Sequence, residues 1–243
     1  MFRLLNRSSA SQKLPFLVDV HSHLLPGLDD GVKSIEETMY ILKTLQDLGY
    51  RKVITTPHVM SDRYPNTAEE IIIKLAEVKK AVLNSDLTIE IEAAAEYCLD
   101  EHLIRSLHEN KKLLTFHGNH LLFETSFLNK PAFLEEAVFN MNTSGYQPVM
   151  AHPERYTYLQ SNKQLLHQLK SMNVLFQVNL LSLFGYYSTE IRKHAAFLVK
   201  SGFVDFIGTD CHNAYQADEI VKKMHQRRNP LLKSLKVLNI SLS

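Results

Sequence analysis

Cysteine is scarce in this chain of 243 residues: Cys98 and Cys211 are the two present. They make neither a disulfide framework nor a Cys-x-x-Cys metal or redox motif, so a reducing compartment is the simpler setting. Charge of one sign is lacking too. A formal net charge of +1 leaves no broad field to attract nucleic acid or an anionic membrane. No apolar run approaches the roughly 18 residues that a transmembrane segment needs. Residues 1–13 are basic but hold no apolar stretch of signal-peptide length. Residues 1–15 read as a tail, with a peripheral membrane contact through Phe2, Leu4 and Leu5 as the minor alternative. A cytoplasmic location follows. No low-complexity linker and no fixed-period repeat divides the rest, so 16–243 reads as one domain.

What is present is an alternation of short apolar runs and amphipathic stretches. The runs at 16–21, 52–56, 88–92, 120–124, 148–152, 174–178 and 204–208 have the length of buried parallel strands. Ser34 and Thr67, each with Glu three residues on, open helices, and Gly49 stops the first. Further helices are predicted at 131–142, 163–172, 189–201 and 217–226. Repeated strand–helix units imply an α/β fold with a parallel sheet. Periodicity alone leaves a barrel and an open doubly wound sheet as alternatives.

Histidine is plentiful, with 12 in the chain. His21, His58 and His152 stand at or just beyond predicted strand ends, and His23 follows His21 by two residues. Asp210 and His212 follow the last run with the same spacing. Glu96 and Glu124 mark two further strand ends, and Asp30 lies in the first loop. C-terminal strand ends build the sites of barrels and open α/β sheets. Alternate strand residues point the same way, so His21 and His23 can face one ion. Imidazole and carboxylate without thiolate suit zinc, manganese or iron, with magnesium as an alternative. A single such histidine reads more readily as a cap or core residue. Several converging polar groups are costly to bury uncompensated, and a cation offsets that cost. Arg155 offers a planar fork to a phosphate, against the plainer reading of a surface ion pair with Glu154. The loop 27–31 lacks the later ligands of a calcium loop and the lysine of a P-loop. It reads as a turn presenting Asp30, with Asp29 as the competing choice.

The segments Asp19-Val20-His21-Ser22-His23, Leu28-Asp29-Asp30-Gly31, Thr56-Pro57-His58, Ala95-Glu96-Tyr97, Phe123-Glu124, His152-Pro153-Glu154-Arg155-Tyr156 and Gly208-Thr209-Asp210-Cys211-His212-Asn213 occur in this order. Together they resemble the polymerase-and-histidinol-phosphatase (PHP) superfamily. More closely, they resemble its bacterial protein-tyrosine phosphatases of capsule and exopolysaccharide synthesis. The resemblance runs from about residue 16 to residue 213. It implies a distorted seven-stranded (β/α)7 barrel, TIM-like, holding two or three divalent metal ions. It places His21, His23, Glu96 and Asp210 on one ion. Glu96 as a bridge, Glu124 and His152 take a second, and Asp30, His58 and His212 a third. Arg155 matches the family's phosphate-binding arginine.

The implied reaction is hydrolysis of phosphotyrosine by a metal-activated water. The implied partner is a phosphotyrosine protein, such as the tyrosine-rich tail of a polysaccharide-export kinase. Phe127, Tyr186 and Tyr187 fall in strand-end loops, where a ring packs either beside the substrate or in the ordinary core. The rival enzyme is a small-molecule PHP phosphatase acting on a compound such as histidinol phosphate. The rival outside catalysis is a metal-binding subunit. The cysteine-dependent phosphatase signature is absent, since Ala217 stands six residues after Cys211 and Ile104 six after Cys98.

Overall fold

A computed structural model describes residues 14–226 and 229–242. Apart from Leu14 and Pro15, the predicted tail with Phe2, Leu4 and Leu5 lies outside them. Each of the seven predicted runs overlaps a strand, three of them offset by one residue. The strands are β1 (Val18–Asp19), β2 (Lys52–Thr55), β3 (His58–Val59), β4 (Glu90–Ala93), β5 (Glu96–Cys98), β6 (His120–Glu124), β7 (Gln147–Ala151), β8 (Leu175–Asn179) and β9 (Phe206–Gly208). The strands form two all-parallel sheets among the described residues, ordered β1-β2-β4 and β3-β5-β6-β7-β8-β9. Two of the strands, β2 and β4, are each followed after a two-residue break by a further short strand beyond the predicted run. The interruptions at Thr56-Pro57 and Ala94-Ala95 mark where the ladder changes partners. Proline has no N–H to give the ladder, while the Pro57 carbonyl accepts from Glu96 N at 3.1 Å.

The six-stranded sheet curls until the chain after β9 meets the chain after β1. Asp210 N donates to His21 O at 2.8 Å and His23 N to Cys211 O at 2.9 Å. Lower on this seam, Asp19 accepts from Thr209 N at 2.8 Å and from Thr209 Oγ1 at 2.6 Å. At its foot, buried Asn239 bridges the two strands. Its Nδ2 donates to Val18 O and Ile207 O, and its Oδ1 accepts from Ile207 N.

The helices are α1 (Ile35–Asp47), α2 (Ala68–Leu83), α3 (Glu101–His108), α4 (Leu134–Thr143), α5 (Thr157–Gln160), α6 (Lys163–Ser171), α7 (Leu180–Leu183), α8 (Thr189–Lys200), α9 (Ala214–Gln226) and α10 (Pro230–Ser234). Ser34 caps α1 by accepting from Glu37 N, and Thr67 forms a complete capping box with Glu70. Apolar strand residues divide by parity. Leu121, Phe123, Met150, Phe176, Val178 and Ile207 join the large core shared with the helices. Leu122, Val149, Ala151 and Phe206 form a smaller cluster with Val18, Val20, Ile54 and Ala94 inside the curl.

Candidate metal centre

Inside the curl, side-chain chemistry changes along each strand. On β6, Leu122 belongs to the inner apolar cluster, and Glu124 two residues later carries a carboxylate. Ala94 leads to Glu96 in the same way, and Phe206 leads through Gly208 to Asp210. Period-two alternation keeps these positions on one face. The inner layer is therefore apolar below and titratable at the C-terminal strand ends.

The titratable groups touch. His21 Nε2 lies 3.2 Å from Glu96 Oε2 and 3.4 Å from Asp210 Oδ1. His23 Nε2 is 3.5 Å from both carboxylates. His58 Nδ1 is 2.9 Å from Glu124 and 3.1 Å from Glu96, and His152 Nε2 is 3.0 Å from Glu96 Oε1. Asp30 Oδ1 stands 3.5 Å from the Nε2 atoms of His58 and His212. All nine predicted ligand residues thus fall in one cluster around Glu96. Three subsets have donor atoms within 4.8 Å of one another: His23, Asp30, His58 and His212; His21, His23 and Glu96; and His58, Glu96 and Glu124. They overlap the implied sets, with His23 and His58 each reaching into a second group.

The donor set fits divalent cations. Burial alone would neutralise Glu96, yet His21, His58 and His152 hold it well below the ordinary carboxylate range. Asp210 is likewise driven down against its burial by His21, His23, His212 and Arg155. Burial should strip protons from the imidazoles, but Glu96 and Glu124 push His58 up to about 12, and Asp29 is the chief cause lifting His23 to about 10. Protons here compensate a carboxylate surplus that a cation would compensate better. Hydrogen bonding is incomplete as well. His58 Nδ1 and Glu124 Oε1 are buried without a hydrogen-bond partner, although they lie 2.9 Å from one another. Lone pairs converging without hydrogen-bond geometry suit a shared ion.

Supporting residues surround the cluster, and of them only Asp29 was weighed from the sequence, as the alternative to Asp30. Asp29 is buried, lies 2.7 Å from His23 Nδ1 and accepts from His58 N at 2.9 Å. It orients a ring, while the exposed Asp30 presents its oxygen to the cluster. Gln177 Oε1 is 2.7 Å from His21 Nδ1, and Asn179 Nδ2 donates to Asp210 Oδ2 at 2.6 Å. Two polar residues alternating along the apolar β8 were the available signal.

A cleft of about 390 Å3 opens over the cluster. Arg155 lines it, and its ion pair is with Asp210 at 2.9 Å, which corrects the surface pairing with Glu154. The guanidinium carbon lies 4.6 Å from the Phe127 ring centre and 4.7 Å from that of Tyr187. Glu154 is buried beneath, accepting from Asn179 N and Ser182 Oγ. Phe127 and Tyr187 therefore reach the cleft. Tyr186 does not line the cleft and packs, as Tyr187 also does, against the large core.

A TIM-like α/β protein with a polyhistidine–carboxylate centre at its C-terminal strand ends is the class that this fold and site define. The chain belongs to the family described as "Capsular polysaccharide synthesis, CpsB/CapC", whose profile matches residues 17–230. It is 30% identical over 213 residues to CapC of Staphylococcus aureus, covering 87% of this chain and 83% of that protein. It is 25% identical to the tyrosine-protein phosphatase YwqE of Bacillus subtilis, over 81% of this chain and 78% of that one. Against the tyrosine-protein phosphatase CpsB of Streptococcus pneumoniae it is 28% identical, over 81% and 83%. The fold matches crystal structures described as YwqE and CpsB, metal-dependent tyrosine phosphatases, with a TM-score of 0.76, 23% identity, and 91% and 96% coverage.

Proposed function

We propose that this chain is a metal-dependent protein-tyrosine phosphatase serving capsular or exopolysaccharide synthesis. The observation that carries the reading is the convergence of nine nitrogen- and oxygen-bearing residues around Glu96, under a cleft that also takes Arg155. Family membership, and relatives named as tyrosine-protein phosphatases, favour phosphotyrosine over a small metabolite. In this reading the two sheets are one distorted (β/α)7 barrel, and the chain from residue 16 is one cytoplasmic domain. His21, His23, Asp30, His58, Glu96, Glu124, His152, Asp210 and His212 hold two or three divalent ions of manganese, iron or zinc, with magnesium as an alternative. The partner is a phosphotyrosine protein, such as the tyrosine-rich tail of a polysaccharide-export kinase.

Held by these residues, divalent ions would supply a water of lowered pKa and charge to neutralise the phosphate. The chain's own residues bind and orient. Asp29 and Gln177 fix the rings of His23 and His21. Arg155 holds Asp210 through one nitrogen and keeps the rest of its fork for phosphate, between Phe127 and Tyr187. A phenolate leaves more readily than a serine alkoxide, so a site without a dedicated strong acid favours aryl phosphates.

The test compares kcat/KM for phosphotyrosine peptides, phosphoserine peptides and histidinol phosphate under one metal condition. Phosphotyrosine should lead phosphoserine by at least roughly tenfold, about 1.4 kcal/mol. Arg155→Ala should lose on the order of 10²-fold and keep its metal, and Arg155→Lys should rescue poorly. Full activity after verified metal removal would overturn the metal chemistry. Histidinol phosphate turned over well above every phosphotyrosine peptide would leave that chemistry standing and remove the protein substrate.

A further inference from the structure

The cleft carries a second arginine that the reaction above does not use. Arg63 lies in the turn after β3, lines the same cleft as Arg155 and is exposed. The turn is firmly held. Met60 N donates to Tyr64 O at 2.9 Å, and Tyr64 N returns a bond to Met60 O at 3.1 Å. Ser61 N donates to Asp100 Oδ2 at 2.9 Å. Asn66 Nδ2 donates to the carbonyls of His58 and Leu28 at 2.8 and 2.9 Å. The Tyr64 ring stacks on His58, a member of the metal cluster, with centroids 5.7 Å apart. These contacts fix the backbone that presents Arg63 to the centre.

The Arg63 guanidinium makes no ion pair with any described residue, its neighbour Asp62 included. Arg155, across the same cleft, has Asp210. The metal cluster and Arg155 already account for one phosphate. A guanidinium with no carboxylate of its own, beside a site for one phosphate, is suited to a second anion. Its planar fork matches either a carboxylate or a phosphate. We propose that Arg63 reads a second anionic group on the same substrate, so that the preferred ligand is a phosphotyrosine peptide with a carboxylate or a second phosphotyrosine beside the first. This rests on the phosphatase reading given above.

The experiment uses metal-loaded full-length protein, as wild type, Arg63→Ala and Arg63→Glu. The substrates are p-nitrophenyl phosphate and three versions of one phosphotyrosine peptide, with neutral neighbours, with glutamate neighbours or with a second phosphotyrosine. Wild type should prefer at least one doubly anionic peptide over the neutral one by about fivefold in kcat/KM, the scale of an exposed charge pair. Arg63→Ala should erase that preference, mainly through KM, and change p-nitrophenyl phosphate turnover much less. Arg63→Glu should invert it, favouring the neutral peptide over the doubly anionic ones. Dependence on the glutamate peptide identifies a carboxylate, and dependence on the doubly phosphorylated one identifies a phosphate. A preference that survives Arg63→Ala, or an equal loss on all four substrates, would overturn the assignment. If wild type hydrolyses p-nitrophenyl phosphate and none of the peptides, the protein-substrate reading fails first and takes this one with it.

Discussion

Asp29 Oδ2 lies 2.7 Å from His23 Nδ1, whereas the Asp30 side chain, 55% exposed, offers an oxygen to His58 and His212. Position in the sequence does not separate these neighbours; burial does. A buried carboxylate against an imidazole nitrogen fixes which ring nitrogen carries the proton and where the other one points. Asp29→Asn should therefore weaken metal binding on the order of 10- to 100-fold, even though Asp29 is outside the nine proposed ligands. Competition against a chromophoric chelator measures this, and an unchanged affinity would reduce Asp29 to a turn residue. The nine proposed ligands stand out in the sequence because all but Asp30, which lies in the first loop, sit at or just beyond a strand end. Gln177 was not singled out, because one amide in a strand has no spacing partner among the histidines, and its value appears only when β8 is set beside β1. Arg155 was legible as a cation near a strand end, but its pairing with Asp210, 55 residues away, was not.

At the scale of elements, β9 is packed closely against β1 and β8. A Cβ on Gly208 would stand 2.5 Å from His21 Cβ and 2.7 Å from Gln177 Nε2. Gly208→Ala should cost about 1–3 kcal/mol through overpacking. Thermal unfolding in chelator should show a Tm lower by several degrees, since about 2–4 °C accompanies each kcal/mol in a domain of this size. Metal affinity should fall as well, because His21 is the displaced neighbour. An unaltered Tm with unaltered affinity would mean that the strands separate freely. The seven strand runs were readable from apolar length, and the capped starts of α1 and α2 from Ser34 and Thr67. The breaks at Thr56-Pro57 and Ala94-Ala95 were not, because a change of ladder partner is a property of three strands at once. α3 was missed as well: it is short, and its cap, Asp100 accepting from Leu103 N, has no carboxylate three residues on.

At the scale of the whole molecule, the seam between β1 and β9 rests on a residue from neither strand. Asn239 is fully buried and serves Val18 O, Ile207 N and Ile207 O. Asn239→Ala would leave these groups without their partner, at about 1–3 kcal/mol for each one buried and unsatisfied. Urea unfolding of the metal-free protein should register a loss of a few kcal/mol. A variant as stable as wild type would show that water or a neighbouring group replaces the amide. Nothing in the pattern of residues 235–242 announces this role, since a lone asparagine near the end of a chain has no periodicity to read.

Asp19 and Thr209, hydrogen-bonded across the seam, are 190 residues apart in the chain. At about 5–20 residues per second, roughly 10–40 s pass on the ribosome between the emergence of one and of the other. For that interval β1 has an open flank, and His21 and His23 lack Asp210 and His212. On the proposed ligand set, a metal met early would find only some of its donors, so any selection among metals would have to wait until residue 212 has emerged.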